Sequence, residues 1–330
     1  MSSSISRTLG LTLALVTFAS RSAFALPDAA TLLADLGYGP DEIAQVQAGQ
    51  LVTGTIAPAS PRELTVGFAF QVAASPAKLS QDLRAGLLGR VDPTVRKAGE
   101  IHGNGTLADF AALGLAPNAD ARAAAYTSGS SDLNLSSQEI ASFGALSGVA
   151  SVEAQVRAAL LARVQSYRAQ GLAGIAPYVR GSGVRSVADE LRIATQAAKP
   201  LRTYAPAAYQ LLLDYPAGKP PGLEESFRWT QFDAHGTPTI ALSQGLFMPD
   251  GDAFLAVQRQ FYVSTGYNCE QAVAAFLPTS SGTIVLYANR TSTDQVTGFG
   301  GGMKRSIGSE VLESQLRKMF QKLRATVKSP

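Results

Sequence analysis

The feature that most constrains the fold is a run of strand patterns that ends in one long amphipathic helix. Strands are predicted at 226–232, 237–247, 253–264 and 282–291, and turn residues such as glycine, proline and serine lie between them. Short connections of this kind join antiparallel neighbours. The apolar run 272–277 fits a helix or a strand. The second half of the chain therefore predicts an antiparallel sheet.

Residues 305–327 follow the strands and repeat apolar side chains at helical spacing. The apolar stripe consists of Ile307, Val311, Leu312, Leu316, Met319, Phe320, Leu323 and Val327. A helix with such a stripe must cover an apolar surface, and the sheet before it is the obvious partner. We therefore predict an α+β, helix-grip-like fold, in which an antiparallel sheet grips a long C-terminal helix.

The first half of the chain divides at about residue 90. Residues 64–72 alternate apolar and polar side chains with a period of two, which predicts a strand, and Ser75 with Pro76 then starts a short helix. From 90 to 222 the pattern is helical and predicts a large helical insertion. The α+β domain would then comprise 26–89, with N-terminal helices and first strands, and 223–330, with the antiparallel strands and the C-terminal helix.

Residues 1–25 have the pattern of a secretory signal peptide. Arg7 supplies the positive charge, residues 9–19 form the apolar segment, and residues 23–25 form a small-x-small cleavage site. The apolar segment is shorter than the roughly 20 residues of a spanning helix. We expect cleavage after Ala25 and a periplasmic or secreted protein.

Composition excludes several classes of protein and site. With 46% hydrophobic and 16% charged residues, the chain is neither disordered nor a coiled coil. Removing the signal leaves 26 basic and 25 acidic residues, so charge gives no reason to expect nucleic-acid binding. One cysteine and two histidines exclude an intrachain disulfide and argue against a metal centre. No metal and no cofactor are expected.

Two segments resemble the START-like (SRPBCC) superfamily of helix-grip proteins. They are Val66–Pro76 (VGFAFQVAASP), which resembles that family's first strand and helix start, and the strand-to-helix passage 282–327. The resemblance covers about 50–88 and 226–327. It implies a cavity for lipids, sterols or other apolar molecules between sheet and terminal helix, and some members are cyclases or hydrolases. The helical region 90–222 departs from the family and would be an insertion over one mouth of the cavity or a separate subdomain.

Arg259 is the candidate site residue that the strand pattern singles out. It lies in the middle of a strand face that carries Leu255, Val257 and Phe261. Because an unpaired buried cation is costly, Arg259 needs either a protein carboxylate or the anionic head of a bound amphiphile. Arg290 raises the same question at the end of its own strand.

Aromatic side chains are dense in the predicted strands, and they either fill a core or line a cavity under the terminal helix. The candidate ligand-binding residues are Arg259, Tyr262 and Tyr287 at the polar end and Phe254, Phe261, Trp229 and Met319 among the apolar side chains. Glycines at 298–302 precede Lys304 and Arg305. That segment is either a tight passage into the helix or an anion contact near these two cations.

Catalytic machinery is not evident from the sequence. His102 and His235 lie in glycine-containing turns, and Cys269 fits a small buried apolar residue. Catalysis by glutamate, aspartate, tyrosine or lysine stays open and would require a carboxylate of raised pKa in the cavity.

Three functions remain after these exclusions. The first is an exported protein that binds or carries a hydrophobic or amphipathic small molecule such as a lipid, with transient membrane contact. The second is an enzyme that acts on an apolar substrate in the same cavity. The third is an envelope structural or interaction protein with a solid core. The volume of the cavity distinguishes the third function from the others.

Overall fold

The computed structural model describes residues 26–181, 183–234, 236–297 and 301–327. It has the predicted α+β fold, with one eight-stranded antiparallel sheet and helices on both of its faces. The predicted signal peptide and His235 lie outside the described residues. Within these ranges, no helix is both long enough and apolar enough to cross a bilayer.

The main sheet has the strand order β1-β2-β10-β9-β8-β7-β6-β3, and each neighbouring pair is antiparallel. Its strands are β1 (Val52–Gly54), β2 (Glu63–Val72), β3 (Val95–Glu100), β6 (Glu224–Ala234), β7 (Thr237–Asp250), β8 (Ala253–Val263), β9 (Cys269–Thr279) and β10 (Gly282–Ser292). A separate hairpin pairs β4 (Tyr178–Arg180) with β5 (Gly183–Arg185). The strands predicted after residue 222 are all present, and the ambiguous run 272–277 belongs to β9.

The helices lie before β1, between β2 and β3, between β3 and β6, and after β10. They are α1 (Ala29–Asp35), α2 (Pro40–Gln47), α3 (Pro76–Arg84), α4 (Leu87–Val91), α5 (Ala119–Thr127), α6 (Ser137–Gly144), α7 (Val149–Gln170), α8 (Val187–Ala197), α9 (Lys199–Tyr204), α10 (Pro206–Asp214) and α11 (Gly301–Thr326). Side-chain caps define the starts of α1, α3, α6 and α8. The Ser75 hydroxyl accepts the Lys78 N–H at 3.2 Å, and the Glu139 carboxylate accepts the Ser136 N–H at 2.8 Å in a capping box.

The region 90–222 holds helices α5 to α10, but it also contributes a strand to the main sheet. The helical pattern expected there is wrong at β3, which pairs with β6 along the sheet edge. The β3 sequence VRKAGE is largely exposed and has no apolar alternation. Its conformation comes from pairing with β6, a tertiary contact that local periodicity does not report.

The two faces of the sheet differ in how they are covered. We call the face covered by α7, α8 and α10 the layer face. On β8 it carries Leu255, Val257, Arg259 and Phe261, none of which is more than 2% exposed. The opposite face, which we call the groove face, carries Ala256, Gln258 and Gln260 on the same strand, and all three are partly exposed. Alternate residues of one strand therefore lie in different environments.

The terminal helix α11 packs on the groove face, as the stripe of apolar residues predicts for a helix that covers the sheet. The Phe320 ring lies 5.7 Å from Phe68, 4.9 Å from Phe70 and 4.8 Å from Tyr287 between centroids. These partners belong to β2 and β10 near one edge of the sheet. The packed part of α11 therefore covers β2 and β10, and α11 does not cover the central strands of the groove face.

Candidate functional site

A large groove lies between α11 and the groove face of the sheet. Its volume is about 1780 Å³, and its lining comes from the central strands, from α3 and α4, and from one side of α11. The apolar cluster of Leu79, Leu87 and Val91 with Phe276 and Phe320 closes one end. This arrangement supplies the space beneath the terminal helix that a ligand would need.

The floor of the groove changes from aromatic to polar along the strands. Four rows of side chains cross the floor from strand to strand. The first and last rows are six residues apart along each strand, which is a distance of about 20 Å. From the closed end they are Phe254, Phe276, Val285 and Phe70; then Phe247, Ala256, Ala274 and Tyr287; then Gly245, Gln258, Ala272 and Asn289; and last Ser243, Gln260, Glu270 and Thr291.

Small residues create the depth of the groove. The middle rows carry Ala256, Ala272 and Ala274 on adjacent strands and Gly245 beside them. Side chains this short leave the space above the sheet unfilled, whereas the layer face of β8 carries Leu255 and Val257 next to Ala256.

The apolar side chains of α11 are buried in the second half of the helix only. Phe320 and Leu323 are buried against the sheet, and Met319 is partly buried. In the first half, Ile307 and Val311 line the groove but are 55% and 42% exposed. The apolar stripe predicted from the sequence therefore has a packed section and a section that faces the open groove.

Glu270 is the carboxylate on the groove floor. It is partly buried in the last row, where it accepts hydrogen bonds from Nε2 of Gln260 at 3.4 Å and Oγ1 of Thr291 at 3.3 Å. Burial raises the pKa of the Glu270 carboxyl, and hydrogen bonds from Asn289 and Thr291 oppose that rise in part. The charge of Asp92, which also lines the groove, raises this pKa further.

Tyr287 joins the aromatic and polar parts of the floor. Its ring contacts Phe320, and its hydroxyl accepts a hydrogen bond from Nδ2 of Asn289 at 3.1 Å. Burial raises the pKa of Tyr287, so this hydroxyl stays protonated and can donate a hydrogen bond.

The structure places the predicted site residues in three locations. Tyr287, Met319 and Lys304 line the groove, and Phe254 stacks on Phe276 with 4.0 Å between centroids at the closed end. The layer face holds Arg259, Phe261, Tyr262 and Trp229. Arg290 contacts Glu63 at the start of β2, and Arg305 contacts Pro61 in the loop before it. The structure does not bring the ten residues together.

Arg259 forms a complete set of hydrogen bonds inside the layer face. Nε and Nη2 donate to Oε1 of Gln271 at 3.1 and 2.8 Å, Nη2 donates to Thr195 at 2.9 Å, and Nη1 donates to the Leu212 carbonyl at 2.8 Å and to the Tyr167 hydroxyl at 3.4 Å. All five N–H groups are satisfied by neutral oxygens. The partner expected from the sequence was a carboxylate or a ligand head. Arg259 instead joins the sheet to α7, α8 and α10.

The other layer-face candidates are also engaged within the protein. The Phe261 ring stacks on Tyr167 with 4.2 Å between centroids, and the Arg163 guanidinium lies 4.2 Å from the Tyr262 ring centre. Nε1 of Trp229 donates to the Asp109 carbonyl at 2.8 Å.

The remaining cations have protein partners at the edge of the fold. Nη1 of Arg290 lies 2.7 Å from Glu63 in an ion pair whose side chains are 10% and 4% exposed. Lys304 donates to the Thr297 carbonyl at 3.4 Å, and Arg305 donates to the Pro61 carbonyl at 3.1 Å. Residues 298–300 of the glycine segment lie outside the described residues, so the anion contact predicted near Lys304 and Arg305 stays a prediction.

The described nucleophile and base candidates lie away from the groove floor. Nδ1 of His102 lies 3.1 Å from Asp109 on an exposed turn. Cys269 is buried, and burial raises the pKa of its thiol, while the nearby Glu190 carboxylate raises it further. Among the described residues, no cluster of three or more histidine, cysteine, aspartate or glutamate side chains could hold a metal ion.

Sequence reasoning did not single out Glu270. The signal was the alternation of Glu270, Ala272, Ala274 and Phe276, which gives one face with an acid, small residues and an aromatic ring. This signal is readable only after 272–277 is assigned to a strand.

No protein-family model matches the chain, and no curated protein matches its sequence. The eight-stranded antiparallel sheet with a long C-terminal helix is compatible with a helix-grip fold.

Proposed function

We propose that this protein is exported and binds or carries a hydrophobic or amphipathic small molecule, such as a lipid, in the groove. The observation that carries the proposal is the open floor of small residues beneath α11. The groove has a volume of about 1780 Å³, which exceeds the ~300–1,000 Å³ of typical small-molecule pockets. A long chain would have room along the rows of the floor.

Apolar burial supplies the driving force for this binding. Each methylene removed from water contributes about 0.8 kcal/mol, so a chain of about ten methylenes contributes on the order of 8 kcal/mol. The loss of translational and rotational freedom on binding costs about 4 kcal/mol or more. At the low end of that cost, about 4 kcal/mol, the remainder is enough for measurable affinity without an ion pair.

The sequence resemblance supports the same function. START-like proteins hold apolar molecules between a sheet and a terminal helix, and the groove lies in the equivalent place. Membership of that superfamily, the export signal with cleavage after Ala25 and transient membrane contact are parts of the proposal. The volume of the groove favours this proposal over a structural protein with a solid core.

Extraction of a bound ligand and a variant that fills the groove test this function together. Organic extraction of the purified protein followed by mass spectrometry should recover an amphiphile, and an environment-sensitive fatty probe should bind. Ala274→Phe should abolish probe binding because the new ring occupies the middle of the floor. Ala121→Phe, on the exposed side of α5, is the matched control. If no amphiphile is extracted and the probe does not bind, the proposal fails.

The second candidate function is catalysis on an apolar substrate in the same groove. The observation in its favour is Glu270, because burial raises the pKa of its carboxyl in the way that a general acid or base requires. Incubation with extracted lipids distinguishes the two functions. A carrier returns its ligand unchanged, whereas an enzyme converts it, and Glu270→Gln stops the conversion.

A further inference from the structure

The last row of the groove floor provides a site for the polar end of the ligand. Gln260, Glu270 and Thr291 lie side by side on β8, β9 and β10, about 20 Å from the aromatic row at the closed end. A single-chain amphiphile whose tail lies among the phenylalanines would therefore place its head at this row. This step rests on the function proposed above.

Glu270 has few partners within the protein. A carboxylate can accept about four hydrogen bonds, and Glu270 accepts long ones from Gln260 and Thr291 and another from Asn289. The Thr291 hydroxyl is closer to Oδ1 of Asn289, at 2.8 Å. Within the described residues, Glu270 forms no ion pair with an arginine or lysine. Its carboxylate therefore keeps acceptor capacity for a ligand.

The neighbouring side chains hold the row in a defined orientation. The Tyr267 hydroxyl donates to Oε1 of Gln260 at 2.5 Å, which turns the amide so that Nε2 faces Glu270. The row is thus an organised set of polar groups around one carboxylate.

The charges around the groove are unfavourable to an anionic head at this row. The groove lining includes eight acidic and six basic residues, and the three lysines among them, Lys304, Lys318 and Lys322, lie on α11 and not on the row. The three lining arginines are paired, Arg84 with Glu224, Arg180 with Asp294 and Arg228 with Glu100. Arg259 lies on the layer face with all five N–H groups used, so it cannot act as the counter-charge.

We propose that the row of Gln260, Glu270 and Thr291 binds the head of an amphiphile that is positively charged and donates hydrogen bonds, as a protonated primary amine does. The ammonium group places N–H donors against the Glu270 carboxylate, while the chain lies along the alanines toward Phe276. This reverses the head-group charge that Arg259 predicts from the sequence. A charge-assisted hydrogen bond distinguishes such a head from a neutral or anionic one.

The test uses three probes with the same twelve-carbon chain, namely dodecylamine, dodecanol and dodecanoate, below their aggregation concentrations. Isothermal calorimetry on the full chain should give the order amine, alcohol, carboxylate, with at least a tenfold difference in Kd between amine and carboxylate. Glu270→Gln should weaken the amine about tenfold and leave the alcohol within about threefold. Unchanged alcohol binding also reports that the variant is folded.

Asp132→Asn is the matched control because it removes one negative charge from the groove lining at an exposed side chain that forms no ion pair within the described residues. It should leave the order of the three probes unchanged. Equal affinities for all heads, or tightest binding of dodecanoate at Lys304, would overturn the head-group proposal while leaving the carrier function intact. Failure of all three probes to bind would instead overturn the carrier function.

Discussion

The two faces of the sheet use the same strands for different purposes. On β8, Val257 and Arg259 are at most 2% exposed beneath the helical layer, whereas their neighbours Gln258 and Gln260 line an open groove. The layer face is closed by large side chains and a fully hydrogen-bonded arginine. The groove face is closed at one end and left open at its centre by small residues. A strand can therefore stabilise the fold with one set of alternate residues and form a binding site with the other.

The largest expected effect tests which half of α11 packs tightly against the groove face. Phe320→Ala removes the ring that packs against Phe68, Phe70 and Tyr287, and it should lower the free energy of unfolding by about 3–5 kcal/mol. Ile307→Ala, in the exposed half of the same helix, should change it by no more than about 0.5 kcal/mol. Chemical denaturation measures both. Similar losses for the two variants would mean that α11 is packed along its whole length.

The next effect tests how strongly the hydrogen bonds of Arg259 hold the helices to the layer face. Arg259→Met leaves the buried acceptors of Gln271, Thr195 and Leu212 without their donor, so it should lower the free energy of unfolding by about 3 kcal/mol. Gln258→Met, one position away on the groove face, should be within about 0.5 kcal/mol of the parent. Urea unfolding curves of the two variants provide the comparison. A neutral Arg259→Met would show that the hydrogen bonds of this arginine do not hold the layer to the sheet.

The smallest expected effect concerns the pH dependence of Glu270. Burial raises the pKa of this carboxyl in the folded protein, so the folded state holds the proton more tightly than the unfolded chain, whose glutamates titrate near ~4.3. Its contribution to stability is therefore full below the unfolded pKa and is lost as pH rises through the folded pKa.

Glu270→Gln removes this dependence and should make the protein more stable than the parent at pH 8, with the difference disappearing near pH 4. Denaturation curves across that range measure the effect, and Glu100→Gln serves as the control. A Glu270→Gln protein that is less stable at pH 8 would mean that ionised Glu270 has a stabilising partner.

Much of the fold follows from the sequence, because the strands of the second half and the terminal helix have clear periodicity. The sequence does not show which side of the sheet α11 covers. The sequence favours the apolar face of β8 as its partner, but the helices of 90–222 already cover that face. The periodicity of a sequence does not show which of two apolar elements, α11 or the helices of 90–222, packs on the apolar face of β8. Because α11 packs on the opposite face, Arg259 does not line the groove.

Two further details could not be predicted for physical reasons. A bulge opposite Leu242 and Ser243 shifts the register of β8, so Phe261 and Tyr262 are both buried despite being consecutive. The polar edge strand β3 forms through its pairing with β6. The position of Glu270 follows from assigning 272–277 to a strand, a choice that depends on the sheet as a whole.

Two adjacent alanines on β9 provide the most direct test of the central claim, that one face of this sheet is solid and the other is open. Ala275 is 8% exposed on the layer face, and Ala274 lies on the groove floor. Ala275→Phe should lower the free energy of unfolding by about 1–3 kcal/mol through overpacking, whereas Ala274→Phe should change it by less than about 0.5 kcal/mol. Equal destabilisation by the two substitutions would contradict the presence of an open groove.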